Sequence, residues 1–370
     1  MKIVSIIGAR PQFIKCAPVS RALRCVATEI LVHTGQHYDA NMCAVFFRDL
    51  DLPVPDYHLE VGSGSHGYQT GEMLKRIETV LLTQRPDWVL VYGDTNSTVA
   101  GALAAAKLHI PVAHVEAGLR SFNRAMPEEV NRVLTDHLAC LLFCPTQTAV
   151  ENLAREGITA GVHLVGDVMY DALWDHVEIA QHKSTILARL GLAPRSYILA
   201  TIHRAENTDT PARLANLLQA LTLLAQRGQP LVFPVHPRTR KRMEALGWRP
   251  CASLWLLEPV AYLDMLQLEA AARVILTDSG GVQKEAYWLR VPCVTLREET
   301  EWVETVRTGW NVLAGTEVDR IVAAAETAPP GEDEPWPWQR GEASHTIATL
   351  MTGSPQGVRP VGHAVIEGEP

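Results

Sequence analysis

Apolar positions in this chain fall into short unbroken runs separated by stretches with helical spacing. The runs at 3–7, 29–33, 88–92, 111–115 and 139–144 lack the in-out alternation of a half-solvated strand. They predict strands buried on both faces. Between them the spacing predicts helices. The first enters at Pro11 and runs to about residue 24, with Ile14, Cys16, Ala17, Val19 and Leu23 on its apolar face. Others cover 66–83, the Ala-rich stretch after Asn96, a segment opening at Pro127, and 146–156. A helix-rich connection at 169–190 follows, and then the alternation resumes. Strands are expected at 197–201, 230–234, 254–257, 274–277 and 291–295, and helices at 211–227, 260–272 and 280–289. Strand–helix alternation of this kind builds parallel sheets covered by helices. The expected fold is therefore α/β, with two sequential halves at 1–168 and 169–352 and a ligand cleft between them. After about residue 327 the pattern breaks into a Pro- and acid-rich loop and one last helix at 341–351. The segment 353–370 has no periodicity and is expected to be a mobile tail.

A length of 370 residues suits two domains, and 47% hydrophobic residues supply two cores. The net charge of -8 argues against a nucleic-acid partner, which needs a concentrated basic surface. It leaves room for a phosphorylated ligand, since a few local cations and helix N-termini suffice. The seven cysteines are scattered and form no C-x-x-C pair. That is the pattern of reduced thiols, and a cytoplasmic location is expected. The apolar run at the N-terminus is too short for a secretory leader, and no run is long enough to span a membrane.

Candidate chemistry is densest between Val91 and Asn131. Asp94 and Glu116 each follow a predicted strand, and Glu128 and Glu129 open a predicted helix. Acids at strand ends cost desolvation unless they are paired. Either they form a site at the carboxyl ends of the strands, or Asp94 caps its helix and the glutamates sit on a helix dipole. After the first strand stands Gly8-Ala9-Arg10-Pro11 rather than G-x-G-x-x-G, so no dinucleotide cofactor is expected. Arg10 and Lys15 place two cations at that turn, suited to an anion. Ser279-Gly280-Gly281 opens a helix after a strand. It offers backbone N–H groups to a diphosphate, with Glu285 one turn on as a ribose contact; the alternative is a plain Ser-capped turn. His203-Arg204 with Glu206-Asn207, and His236-Pro237-Arg238, are polar clusters after two further strands. No histidine pair has metal-ligand spacing, and no G-x-S-x-G elbow is present.

Taken in order, GARPQFIK, TGQH, YGDTNST, HVEAGLRS, MPEEVNR, VGDV, TIHRAEN, HPRTR, TDSGGVQKE and ETEWVE resemble the non-hydrolysing UDP-N-acetylglucosamine 2-epimerases. The resemblance runs from Met1 to about Gly315. It implies the GT-B architecture, two Rossmann-like domains facing a central cleft, one binding UDP and the other carrying catalytic carboxylates. It implies inversion at C2 of a UDP-2-acetamido sugar without any cofactor. UDP is eliminated to leave a 2-acetamidoglucal and then adds back. By motif, Asp94, Glu116, Glu128, His203 and Lys15 take the catalytic roles. Arg10, His37, Arg132, His236, Ser279, Gly280, Gly281, Glu285 and Arg297 take the UDP-sugar contacts. A homodimer is implied. Departures are Gln12 where many members have Glu, a short loop carrying Phe122-Asn123-Arg124, and GSHGYQTGE at 64–72 without the Arg-Gln pair of an allosteric site. They resemble the subgroup acting on UDP-2,3-diacetamido-2,3-dideoxy-glucuronate, whose carboxylate Arg124 could meet. A GT-B glycosyltransferase, a hydrolysing epimerase and a non-catalytic UDP-sugar sensor are the competing readings.

Overall fold

The computed structural model describes residues 1–36, 47, 50–328, 330–332 and 339–353. They gather into two compact units, residues 1–172 with 339–353, and residues 173–332. Among the described residues no helix is long and apolar enough to cross a membrane.

Unit 1 is built on seven strands: β1 (Lys2–Ile7), β2 (Thr28–His33), β3 (Tyr57–His58), β4 (Trp88–Tyr92), β5 (Val112–Val115), β6 (Leu141–Cys144) and β7 (Val162–Leu164). Their order across the sheet is β3-β2-β1-β4-β5-β6-β7, and every pair is parallel. Val4 faces Ile30 on one side and Val89 on the other. This explains the continuous apolar runs: the central strands are covered on both faces. One core packs Val4, Ile6, Val89 and Val91 against Met73 and Ile77 of the His66–Gln84 helix and alanines of the Asn96–Lys107 helix.

Unit 2 repeats the plan with β8 (Ile198–Thr201), β9 (Leu231–Pro234), β10 (Leu254–Leu257), β11 (Val274–Thr277), β12 (Cys293–Thr295) and β13 (Asn311–Leu313). The order is β10-β9-β8-β11-β12-β13, again all parallel. Both sheets therefore carry the doubly wound order in which the third to first strands run one way and the later strands the other. The two Rossmann-like domains expected of a GT-B protein are present.

Two expectations shift, and three strands have no counterpart in the sequence reading. The strands β3, β7 and β13 are edge strands of two or three residues, too short to show a pattern. The strand expected from residue 291 begins at Cys293, since Pro292 has no N–H to give a ladder. The last helix, Glu342–Thr352, groups with unit 1 rather than with the second half. Its buried face, Ala343, Ile347, Ala348 and Met351, belongs with the Arg10–Arg24 helix. Its open N-terminus is satisfied by Asp171, which accepts from Gly341 N at 2.8 Å and Ser344 N at 2.9 Å. The remainder of the proposed tail, 354–370, lies outside the described residues.

Candidate active site

Ligands of open α/β sheets bind outside the carboxyl ends of the strands where strand order reverses. The reversal falls between β1 and β4 in unit 1 and between β8 and β11 in unit 2. Each of these points carries a cluster of polar side chains.

In unit 1 the turn after β1 is fixed by Gln12, which is buried. Its Oε1 accepts from Gly8 N at 2.8 Å and Ala9 N at 3.1 Å, while its Nε2 donates to the Tyr92 carbonyl at 2.9 Å and Thr98 Oγ1 at 3.1 Å. The side chain thus joins the exit of β1 to the exit of β4. Lys15, one turn further along the same helix, pairs with the carboxylate of Glu116, and both are largely buried. Gly93 ends β4 with φ +61°. A Cβ there would lie 3.1 Å from Lys15 Nζ and 3.2 Å from Glu116 Oε2, so a side chain would be strained by the backbone and would crowd the ion pair.

Asp94 does not cap the following helix. Thr95 does, its hydroxyl accepting from Thr98 N. The Asp94 carboxylate instead pairs with Arg132, whose guanidinium also lies 3.1 Å from Glu129. Asp94 keeps 29% of its side-chain surface exposed, whereas Arg132 keeps 3%. Glu129 is not a solvated acid on a helix dipole either. It is buried, and it accepts from Ser121 N and Oγ at 3.0 Å and from Phe122 N at 2.9 Å, tying down the 119–126 loop. Glu128 stands half-buried in the same helical turn. The structure thus brings Asp94, Glu116, Lys15 and Arg132 into paired opposite charges, which offsets the cost of burying them. Arg124 is exposed on the loop. His37 and the side chain of Arg10 lie outside the described residues.

In unit 2 the organiser is Asp278, which is fully buried at the end of β11. It accepts from His203 N at 3.1 Å, Arg204 N at 3.0 Å and Asn207 Nδ2 at 3.1 Å, and lies 3.1 Å from His203 Nδ1. Burial opposes its charge, but His203, Asn207 and Arg204 outweigh that and hold the carboxyl below its ordinary range. The His203 ring is thereby oriented through Nδ1 and remains 46% exposed. Ser279 precedes the Gly280–Trp288 helix without a side-chain cap, so the plain Ser-capped turn is not what forms. A Cβ on Gly280 would lie 3.0 Å from the Trp302 indole nitrogen, while one on Gly281 would meet only Ser279 Oγ at 3.8 Å. Gly280 is therefore closed in by protein and Gly281 opens outward. Arg297 is buried against Glu301 at 3.1 Å and lies 3.7 Å from Glu206. Glu285 is buried beside Glu269 and Tyr262, and burial with the Glu285 charge raises the Glu269 carboxyl well above its ordinary value. His236 is exposed and caps the Pro237–Ala245 helix by accepting from Arg238 N at 3.2 Å.

Asp136, His114 and Asp278 received no role from sequence, Gln12 stood out only as a departure from the family pattern, and Glu129 was read only as a site acid or a helix-dipole partner. The only signal for Asp278 was an acid directly between a buried strand and Ser-Gly-Gly. Gln12, His114 and Asp136 act through partners far along the chain, whereas Glu129 holds the nearby Ser121 and Phe122.

The family model described as UDP-N-acetylglucosamine 2-epimerase matches residues 22–352. A Methanococcus maripaludis protein named UDP-N-acetylglucosamine 2-epimerase homolog is 54% identical over 352 residues, covering 94% of this chain and 98% of that one. The UDP-2,3-diacetamido-2,3-dideoxy-D-glucuronate 2-epimerase of Pseudomonas aeruginosa is 51% identical over 359 residues, covering 95% and 99%. Among solved structures, the Methanocaldococcus jannaschii UDP-GlcNAc 2-epimerase in complex with UDP-GlcNAc and UDP superposes with a TM-score of 0.90 at 44% identity, covering 95% of this chain and 99% of that one. With matched family model, relatives of full length and the same fold, this chain belongs to the UDP-N-acetylglucosamine 2-epimerase family and is an isomerase.

Proposed function

We propose that this enzyme inverts C2 of a UDP-2-acetamido sugar, either UDP-GlcNAc/UDP-ManNAc or the 2,3-diacetamido glucuronate analogue. The observation that supports it best is the paired cluster of Asp94, Glu116, Lys15 and Arg132 at the strand-order reversal of unit 1. The C2 proton is not adjacent to a carbonyl, so it leaves only together with a group on C1. A carboxylate takes the proton, the C2–H electrons form the C1=C2 bond, and the C1–O electrons depart with UDP. Return reverses these steps with the proton delivered to the opposite face. Two faces need two acid/base groups. Asp94, Glu116 and Glu128 supply them, with His203 and Lys15 as the cationic and proton-carrying partners.

UDP itself falls to unit 2. The N–H groups at Ser279, Gly280 and Gly281 suit its diphosphate, and Glu285 suits the ribose. Arg10, His37, Arg132, His236 and Arg297 complete the contacts. The scattered cysteines, six of them free among the described residues, support a cytoplasmic enzyme. Val130 and Leu134, 41% and 49% exposed one turn apart on the Pro127–Leu138 helix, support a homodimer.

The test is proton NMR in D2O with UDP-GlcNAc in one tube and the diacetamido glucuronate analogue in another. Loss of the C2 proton signal with growth of the manno epimer is expected, and the faster tube names the substrate. Asp94→Asn or Glu116→Gln is expected to slow turnover by about 10²–10⁴-fold while UDP affinity stays near wild type. Intact sugar nucleotide without exchange in either tube would overturn the reading.

A further inference from the structure

Beneath the unit 1 acids lies a buried chain of polar groups that the reaction above does not use. Asp136 sits on the Pro127–Leu138 helix and His114 on β5, with side chains fully inaccessible. Asp136 Oδ1 lies 2.7 Å from His114 Nδ1, and Oδ2 accepts from Gly118 N at 3.1 Å. Its grip therefore falls two residues before and two residues after Glu116. The other His114 ring nitrogen lies 2.8 Å from the carbonyl of Gly93, the residue before Asp94. Arg120 donates to Asp136 Oδ2 at 2.6 Å and binds both oxygens of Glu156 at 2.7 and 2.8 Å.

Such a network is expensive. A core position filled by His and Asp bears desolvation that an aliphatic pair would not. Glu116 also holds φ +72°, a left-handed conformation that is unfavourable for a non-glycine residue. Burial opposes the charge on Asp136, but His114 and Arg120 outweigh it and keep the carboxyl below its ordinary range. The acceptors are thus present at neutral pH.

We infer that Asp136 is a positioning residue: through His114 and Gly118 it fixes the two strand-end turns that carry Asp94 and Glu116, and so sets the distance between these acids. The inference rests on the epimerase reading for its kinetic consequence. Glu116 is held in a conformation it would leave if unclamped, and Asp94 follows the carbonyl held by the same ring.

The experiment compares wild type with Asp136→Asn and His114→Gln in melting temperature, UDP affinity, KM and kcat. Asp136→Asn keeps the shape but turns one acceptor toward donors. The expected result is a kcat loss of about 10²-fold, the size of a 1 Å misplacement, with UDP affinity unchanged. If Asp136→Asn does not fold, His114→Gln carries the test. A lowered melting temperature with wild-type kcat per folded molecule would make the network merely structural and overturn the inference. An inactive wild type would mark failure of the epimerase reading instead. The clamp is then judged by carbon-13 titration of the Asp94 and Glu116 carboxyls, where a shift in His114→Gln is expected and coincident curves overturn it.

Discussion

Gln12 shows how much one side chain can decide. Its amide accepts on one side and donates on the other, and every one of those bonds is buried. A glutamate there would turn an oxygen toward the Tyr92 carbonyl, leaving two acceptors opposed. Gln12→Glu is expected to cost about 1–3 kcal/mol, read as a lower denaturation midpoint that recovers as acidification protonates the new carboxyl. Gly281 offers the complementary case. A side chain there meets almost nothing in the free protein, so Gly281→Leu is expected to leave the melting temperature alone and weaken UDP binding. Retained affinity would remove the diphosphate from this turn. Asp94, Glu116 and the Ser279 turn were legible because an acid or a glycine pair ending an apolar run stands out locally. Asp278 and Asp136 were not, because their partners lie 75 and 22 residues away and only the sheet brings them together.

Among elements, strands covered on both faces were readable as runs, and β4, β10 and β11 begin and end where the pattern says. Short edge strands carry no period, and the Glu342–Thr352 helix reads the same whichever unit it joins. Its place is set by Asp171 and the Arg10–Arg24 helix, which no local pattern announces. The Pro127–Leu138 helix has two duties: its buried side carries Glu129, Arg132 and Asp136, and its outer side leaves Val130 and Leu134 in solvent. Residues four apart share a face. For the homodimer proposed above, Leu134→Asp is therefore expected to lower the mass seen in light scattering to that of one chain; a wild type of one-chain mass would overturn the dimer, and a variant that keeps two-chain mass would place the interface elsewhere.

For the whole molecule, buried acids set opposing pH trends. Asp136 and Asp278 are held below the ordinary value of 3.8. Their stabilisation is complete above that value and is lost as pH falls through the lower folded values. Glu269 is raised above 4.5, with Glu285 and Tyr262 facing it. The folded state then holds a proton that the unfolded state has released, so stability declines as pH rises beyond about 4.5. Melting temperature should fall at both ends. Asp278→Asn is expected to flatten the acid side and Glu269→Gln the alkaline side, and parallel curves for variants and wild type would deny these groups the role.

The Glu342–Thr352 helix has a consequence for how the protein is made. Because unit 1 reclaims residues 339–353 after the chain has traversed the whole of unit 2, unit 2 is in effect an insertion domain. A nascent chain leaving the ribosome can close unit 2 while Asp171 still waits for the amides it will accept from. The N-terminal unit, begun first, is the one completed last.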